Sequence, residues 1–200
     1  MKLMSMDHCI WIRLGSAVAV AVLLGGCAGP APAPRLLQMR AATPVAAPPA
    51  VNQGVWLLVL PLRLPDYLDR DAILVPQGQA GLASLPGYRW AEPLRESVPR
   101  LLRNDLATLL GEARMWSSPL PPGVVAQRQL RVDVLSFGSS SDQRTVQLSA
   151  RWSVVDVSGA TPARAEKAEL SVDVAGSDAD SLVAAHRLAL WQLAQRIVRP

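Results

Sequence analysis

The sequence predicts an α+β domain, with an antiparallel sheet of about five strands packed by two main helices in the order β-β-α-β-β-β-α. Apolar residues alternate with period two from Leu130 to Val174, as strands with one buried face require. Stripes of apolar residues at three-to-four spacing stand before and after that region, as packed helices require. Clusters of Gly, Pro, Ser and Asp separate the segments.

Val55–Leu62 reads as a buried strand bounded by Gly54 and Pro65. Pro65–Val75 is a turn-rich entry into a second short strand over 72–75, and Gly78, Gly81, Pro86 and Gly87 predict a loop. Trp90-Ala-Glu-Pro-Leu opens a helix, with Pro93 suited to its first turn and Glu92 to the positive end of its dipole. Its stripe is Leu94, Val98, Leu101, Leu102, Leu106, Leu109 and Leu110, and Gly111 is a C-cap. Pro99 predicts either a kink or a helix that begins near Val98.

Leu130, Val132 and Val134 share one face of a strand that reaches Phe137, with a change of parity near Leu135 that predicts a bulge. Residues 138–142 form a hairpin loop, Val146 to Val154 a long strand, Gly159–Pro162 a turn and Ala168 to Val174 a third strand. Ser177 caps the final helix, whose inner face carries Leu182, Ala185, Ala189, Leu193 and Ile197.

The first 53 residues follow other rules. Lys2 and Arg13 flank the front of the apolar run Leu14–Leu24, and Gly25-Gly26-Cys27 follows. A charged start, a short apolar stretch and small residues make a secretory signal peptide over 1–26. The apolar run is too short for a transmembrane helix, which takes about 20 residues. Leu24-Gly25-Gly26-Cys27 also has the form of a lipobox: the Cys27 thiol takes diacylglycerol and the chain is cut before it. Two or more acyl chains give stable membrane anchoring. Ala28 after the cysteine favours an outer-membrane address, with the domain in the periplasm. Residues 27–53 then form the lipid anchor and a disordered Ala/Pro-rich linker, since repeated prolines oppose helix and sheet alike. Extended, that linker reaches roughly 75 Å. The domain occupies 54–200.

The formal net charge is +4 and the arginines are interleaved with acids, so no nucleic-acid partner is expected. Of the two cysteines, Cys9 lies in the signal peptide, which excludes an intrachain disulfide in the mature chain. Of the two histidines, His8 lies there too. His186 sits beside the apolar stripe of the last helix and reads as a packing or capping residue rather than a catalytic base. The chain has no nucleophile elbow, zincin motif or phosphate loop, so we expect no enzyme, metal or cofactor. Asp66, Asp69 and Asp71 crowd one loop, but their spacing is not that of an EF-hand, and a solvated turn with local salt bridges fits better. Trp56 and Trp152 have core parity, whereas Tyr67 and Trp90 lie in or beside loops.

Tyr67-Leu-Asp-Arg70, Trp90-Ala-Glu-Pro-Leu94 opening a helix, a strand ending Leu135-Ser-Phe137, Ala150-Arg-Trp-Ser-Val-Val-Asp156 and a closing Ala/Leu-rich helix occur in that order. Together with the leader and linker, they resemble the ABC-type transport auxiliary lipoprotein family, the PqiC-like lipoproteins. Pro99 and the pair Asp71-Ala72 depart from its pattern. The resemblance implies a non-enzymatic subunit of an MCE-type phospholipid transport system that docks the periplasmic MCE protein and, through it, the permease and ABC transporter. Tyr67, Arg70 and Trp90 are the candidate contacts. The alternative is a periplasmic lipid carrier or chaperone with its own hydrophobic cavity. The transported lipid and the oligomeric state, including a homo-oligomer, stay open.

Overall fold

The first strand lies where the sequence predicts only linker. In the computed structural model, which describes residues 32–40 and 54–199, Arg35–Leu37 forms β1. The chain divides into units 1–33 and 34–200. Cys27, the signal peptide and most of the linker therefore lie outside the described residues. Within the linker, Leu36-Leu37-Gln38-Met39 is the apolar exception, and Leu37 and Met39 are both buried. Burying two such side chains stabilises by about 1.5–3 kcal/mol each, enough to draw this segment into the domain.

The remaining elements are β2 (Trp56–Leu58), β3 (Ala72–Gln77), β4 (Gly81–Trp90), α1 (Leu94–Leu110), β5 (Met115–Ser117), β6 (Arg128–Ser139), β7 (Thr145–Asp156), β8 (Arg164–Asp173) and α2 (Ala179–Val198). They make a three-stranded sheet, β1-β4-β3, and a five-stranded sheet, β5-β2-β6-β7-β8. The fold is α+β as expected, but its sheets are mixed rather than antiparallel. β1 runs parallel to β4, and β2 runs parallel to both β5 and β6. The excursion through β3, β4 and α1 returns the chain to the end from which β2 started, as a parallel pairing requires. The β6–β7–β8 meander is antiparallel throughout.

β4 runs through the segment that the sequence marks as a loop. Gly78 has φ +65° in the turn between β3 and β4, and Pro86 lies outside both paired stretches of β4. β1 meets only residues 88–90, so the amide that Pro86 lacks is not needed there. α1 begins at Leu94 and passes through Pro99, with Pro93 as its N-cap residue. Gly111 closes it at φ +101°, its N–H donating to the Ala107 carbonyl. Leu135 is the bulge residue of β6, since Val134 pairs with Ala150 and Ser136 with Ser149. α2 is capped by Asp178 rather than Ser177. The helix begins one residue later than expected, and the Asp178 carboxylate accepts the Ser181 N–H at 2.7 Å.

The core fills the space between the helices and one face of the larger sheet. α1 contributes Val98, Leu101, Leu102 and Leu106, and α2 its predicted stripe from Leu182 to Ile197. Trp56 and Trp152 are buried among them, as their strand parity predicts. Among the described residues no helix is long and apolar enough to cross a membrane.

Candidate functional site

The end of β4 joins three pieces of chain into one surface. The Trp90 N–H donates to the Asp71 carbonyl at 2.6 Å, and the Ala91 N–H donates to the Leu37 carbonyl at 2.8 Å. These bonds fix the turn before β3 on one side and β1 on the other, with the start of α1 following directly. The turn itself is a single 3-10 turn over Asp66–Leu68 that buries Leu68. Tyr67 is half-buried against the core, and Arg70 is exposed at the tip.

The acids of this surface are taken up by arginines. Asp69 accepts from Arg95 Nε at 2.6 Å and also meets its Nη2. Asp71 accepts from Arg89 Nη1 at 3.0 Å. The local ion pairs expected of this turn therefore form, but with Arg89 and Arg95 rather than with Arg70. Glu92 accepts from Gln38 Nε2 and from Arg100 Nη2. Burial acts to raise the Glu92 carboxyl, but those two hydrogen bonds and the Arg100 charge outweigh it and hold the group below its ordinary value.

Trp90 corrects the sequence reading. As the last residue of β4 it turns inward and is only 6% exposed, so its indole is not available to a partner. Its ring stands edge-on to the His186 ring at a centroid distance of 5.5 Å, and the Phe137 ring meets the same histidine edge-on at 5.0 Å. His186 is buried and donates from Nδ1 to the Leu182 carbonyl at 2.8 Å. Burial pulls its pKa down to about 4, so the ring is neutral and structural near neutral pH. Of the three candidate contacts, Tyr67 and Arg70 remain on the surface.

Two features escaped the sequence reading. A groove of about 660 Å³ lies between β1 and α2, lined in part by Leu36, Gln38, Arg40, Val183 and Leu188. Leu36 is 62% exposed there, and Arg35 reaches across to Asp180 at 3.0 Å. Beside it, Arg187 of α2 forms a buried two-pronged ion pair with Asp105 of α1, Nη1 donating to Oδ2 at 2.7 Å and Nη2 to Oδ1. Burial raises the Asp105 carboxyl, with Arg187 pulling the other way. Signals for both were present. Leu36 to Met39 interrupt an Ala/Pro run, and Asp105 and Arg187 are single charges inside apolar helical stripes.

One family model spans residues 36–198, which takes in both helices and every strand but the first residue of β1. It defines a class, the membrane-anchored auxiliary lipoproteins of the cell envelope. The chain belongs to the family described as the ABC-type transport auxiliary lipoprotein component, and association with ABC transport systems follows from that membership. A crystal structure of an uncharacterised protein aligns with 72% of this chain and 90% of its own, at 21% identity and a TM-score of 0.61. A DUF330 protein from Xanthomonas campestris aligns with 83% of this chain and 91% of its own, at 18% identity and a TM-score of 0.54. These two likenesses establish the fold alone. No curated protein gives a significant match.

Proposed function

We propose that this lipoprotein is a non-enzymatic docking subunit of an MCE-type phospholipid transport system, anchored through Cys27 in the outer membrane with its domain in the periplasm. There it engages the MCE protein that works with the permease and ABC transporter, and so supports envelope integrity. Family membership carries the reading, and the surface around Tyr67 and Arg70 supports it. Backbone bonds to Trp90 and Ala91 hold that surface rigid, and a pre-ordered surface loses less entropy on binding. His186, the histidine of the folded domain, is buried and neutral, which withholds it from acid–base chemistry.

Co-purification from native membranes tests the docking role. The wild-type chain should recover the MCE protein, and Tyr67→Ala with Arg70→Glu should cut recovery about tenfold, equivalent to 1.4 kcal/mol. Failure of the wild-type chain to recover it would refute docking. Cys27→Ala should abolish incorporation of radiolabelled fatty acid and release the domain from membranes.

The groove beside the exposed Leu36 favours a second reading, a lipid carrier. Native mass spectrometry of the Cys27→Ala protein separates the two, because reproducibly bound phospholipid would favour the carrier.

A further inference from the structure

The larger sheet turns one face to the helices and the other outward, and the outward face gathers cations. Four residues stand in a row across four neighbouring segments. Arg63 bridges to Asp133 of β6, Asp133 pairs with Arg151 of β7, and Arg151 pairs with Lys167 of β8. Arg131 shares this face, two residues before Asp133 on the same strand. Residues 59 to 63 form one wall. The Val59 N–H donates to the Leu130 carbonyl and the Arg63 N–H to the Val132 carbonyl, so Leu60, Pro61 and Leu62 span what Arg131 alone spans on β6, an excess of two residues. The resulting cleft has a volume of about 680 Å³.

Its charges do not balance. The lining acids are Asp133 and Glu166; Asp133 accepts from Arg151 Nε at 2.9 Å, and Glu166 meets Arg164 at 3.1 Å. Lys167 meets Glu169 at 2.7 Å. Arg63 and Arg131 have no carboxylate partner among the described residues. Arg151 and Lys167 stand directly opposite each other, an arrangement of like charges that destabilises an antiparallel pair.

We propose that this cleft binds a phosphate group. An anion there relieves the Arg151–Lys167 repulsion and supplies partners for Arg63 and Arg131. Guanidinium groups match phosphate oxygens in pairs, and a tetrahedral anion can accept from several directions at once. A cleft whose lining carries four cations against two carboxylates also concentrates such ions. The phosphate can belong to a phospholipid headgroup or be free in solution.

Calorimetric titration of the full lipidated chain in neutral detergent tests the site, at constant ionic strength in sodium chloride. One arm uses inorganic phosphate. The other uses dihexanoyl phosphatidylglycerol kept below its micelle concentration. We expect saturable binding in at least one arm, weakened at least tenfold by Arg63→Gln with Arg131→Gln and unchanged by Arg144→Gln. Phosphate alone binding identifies a free anion, and tighter binding of the lipid identifies a headgroup. Circular dichroism checks that the variants fold. Should the double variant not fold, Lys167→Gln, a change at an exposed side chain, should weaken binding about threefold. No binding in either arm, or binding indifferent to these substitutions, would overturn the proposal.

Discussion

The Arg187 guanidinium and the Asp105 carboxylate, 82 residues apart in the chain, lock the two helices together with both side chains withdrawn from solvent. Each charge is tolerable there only because the other is present. Asp105→Leu or Arg187→Met alone should lower stability by about 3–5 kcal/mol, since each leaves one unpaired charge buried. The joint replacement Asp105→Leu with Arg187→Met should cost much less. Urea unfolding of the four proteins measures the coupling. Additive losses would show that the pair does not act as a unit.

His186 gives stability a pH dependence of known sign. Its folded value of about 4 lies below the ordinary 6.5, so between them the unfolded chain binds a proton that the folded chain excludes. Stability is therefore full above about pH 6.5 and falls as the pH drops toward 4, by on the order of 3 kcal/mol. The lowered carboxyls of Asp142, Asp156 and Asp178 act only below their ordinary value of 3.8. The Asp105 carboxyl, raised by burial, acts above 3.8 with the opposite sign, so the difference between wild type and His186→Leu is what isolates the histidine from 4.5 to 6.5. His186→Leu should flatten the curve there, as followed by thermal unfolding in buffers of matched ionic strength.

Trp90 and Tyr67 should separate packing from recognition. Trp90→Ala removes a buried ring beside His186 and should cost about 3–5 kcal/mol. Tyr67→Ala should cost less, because its side chain is only partly covered, while reducing recovery of the MCE protein. Unfolding midpoints set against co-purification yields decide the matter. A Trp90→Phe protein that folds normally yet loses its partner would return Trp90 to the contact surface.

β1 should prove integral to the domain. A chain beginning at Pro34 should match the stability of the longer protein. One beginning at Ala41 loses the burial of Leu37 and Met39 and should be weaker by about 3–6 kcal/mol. Equal unfolding midpoints would mean that residues 34–40 are linker after all.

The meander and both helices were legible because their buried faces repeat with a period. Leu130–Val134 and Val146–Val154 alternate, and the Leu135 bulge shows as a break in that alternation. β1 and β5 were not legible, because three residues make no period. β4 was hidden by Gly81, Pro86 and Gly87, which usually mark loops and here fit an irregular, partly paired strand. Parallel pairing of β2 depends on where the chain returns after α1, which no local pattern encodes. At the surface, the exposure of Tyr67 and Arg70 could be read from their turn. The inward aim of Trp90 could not, because it follows from the direction in which β4 ends.

β1 also sets how far the domain can stand from its anchor. A linker running to residue 53 would act as a slack leash of roughly 75 Å. With β1 seated against β4, Cys27 and Pro34 are seven residue steps apart in the chain, a length that reaches no more than about 25 Å. A lipid on Cys27 would then hold the folded body against the bilayer surface. Residues 35–53 would be a reserve of length, paid out only if β1 detaches and available to a partner mounted farther from that membrane.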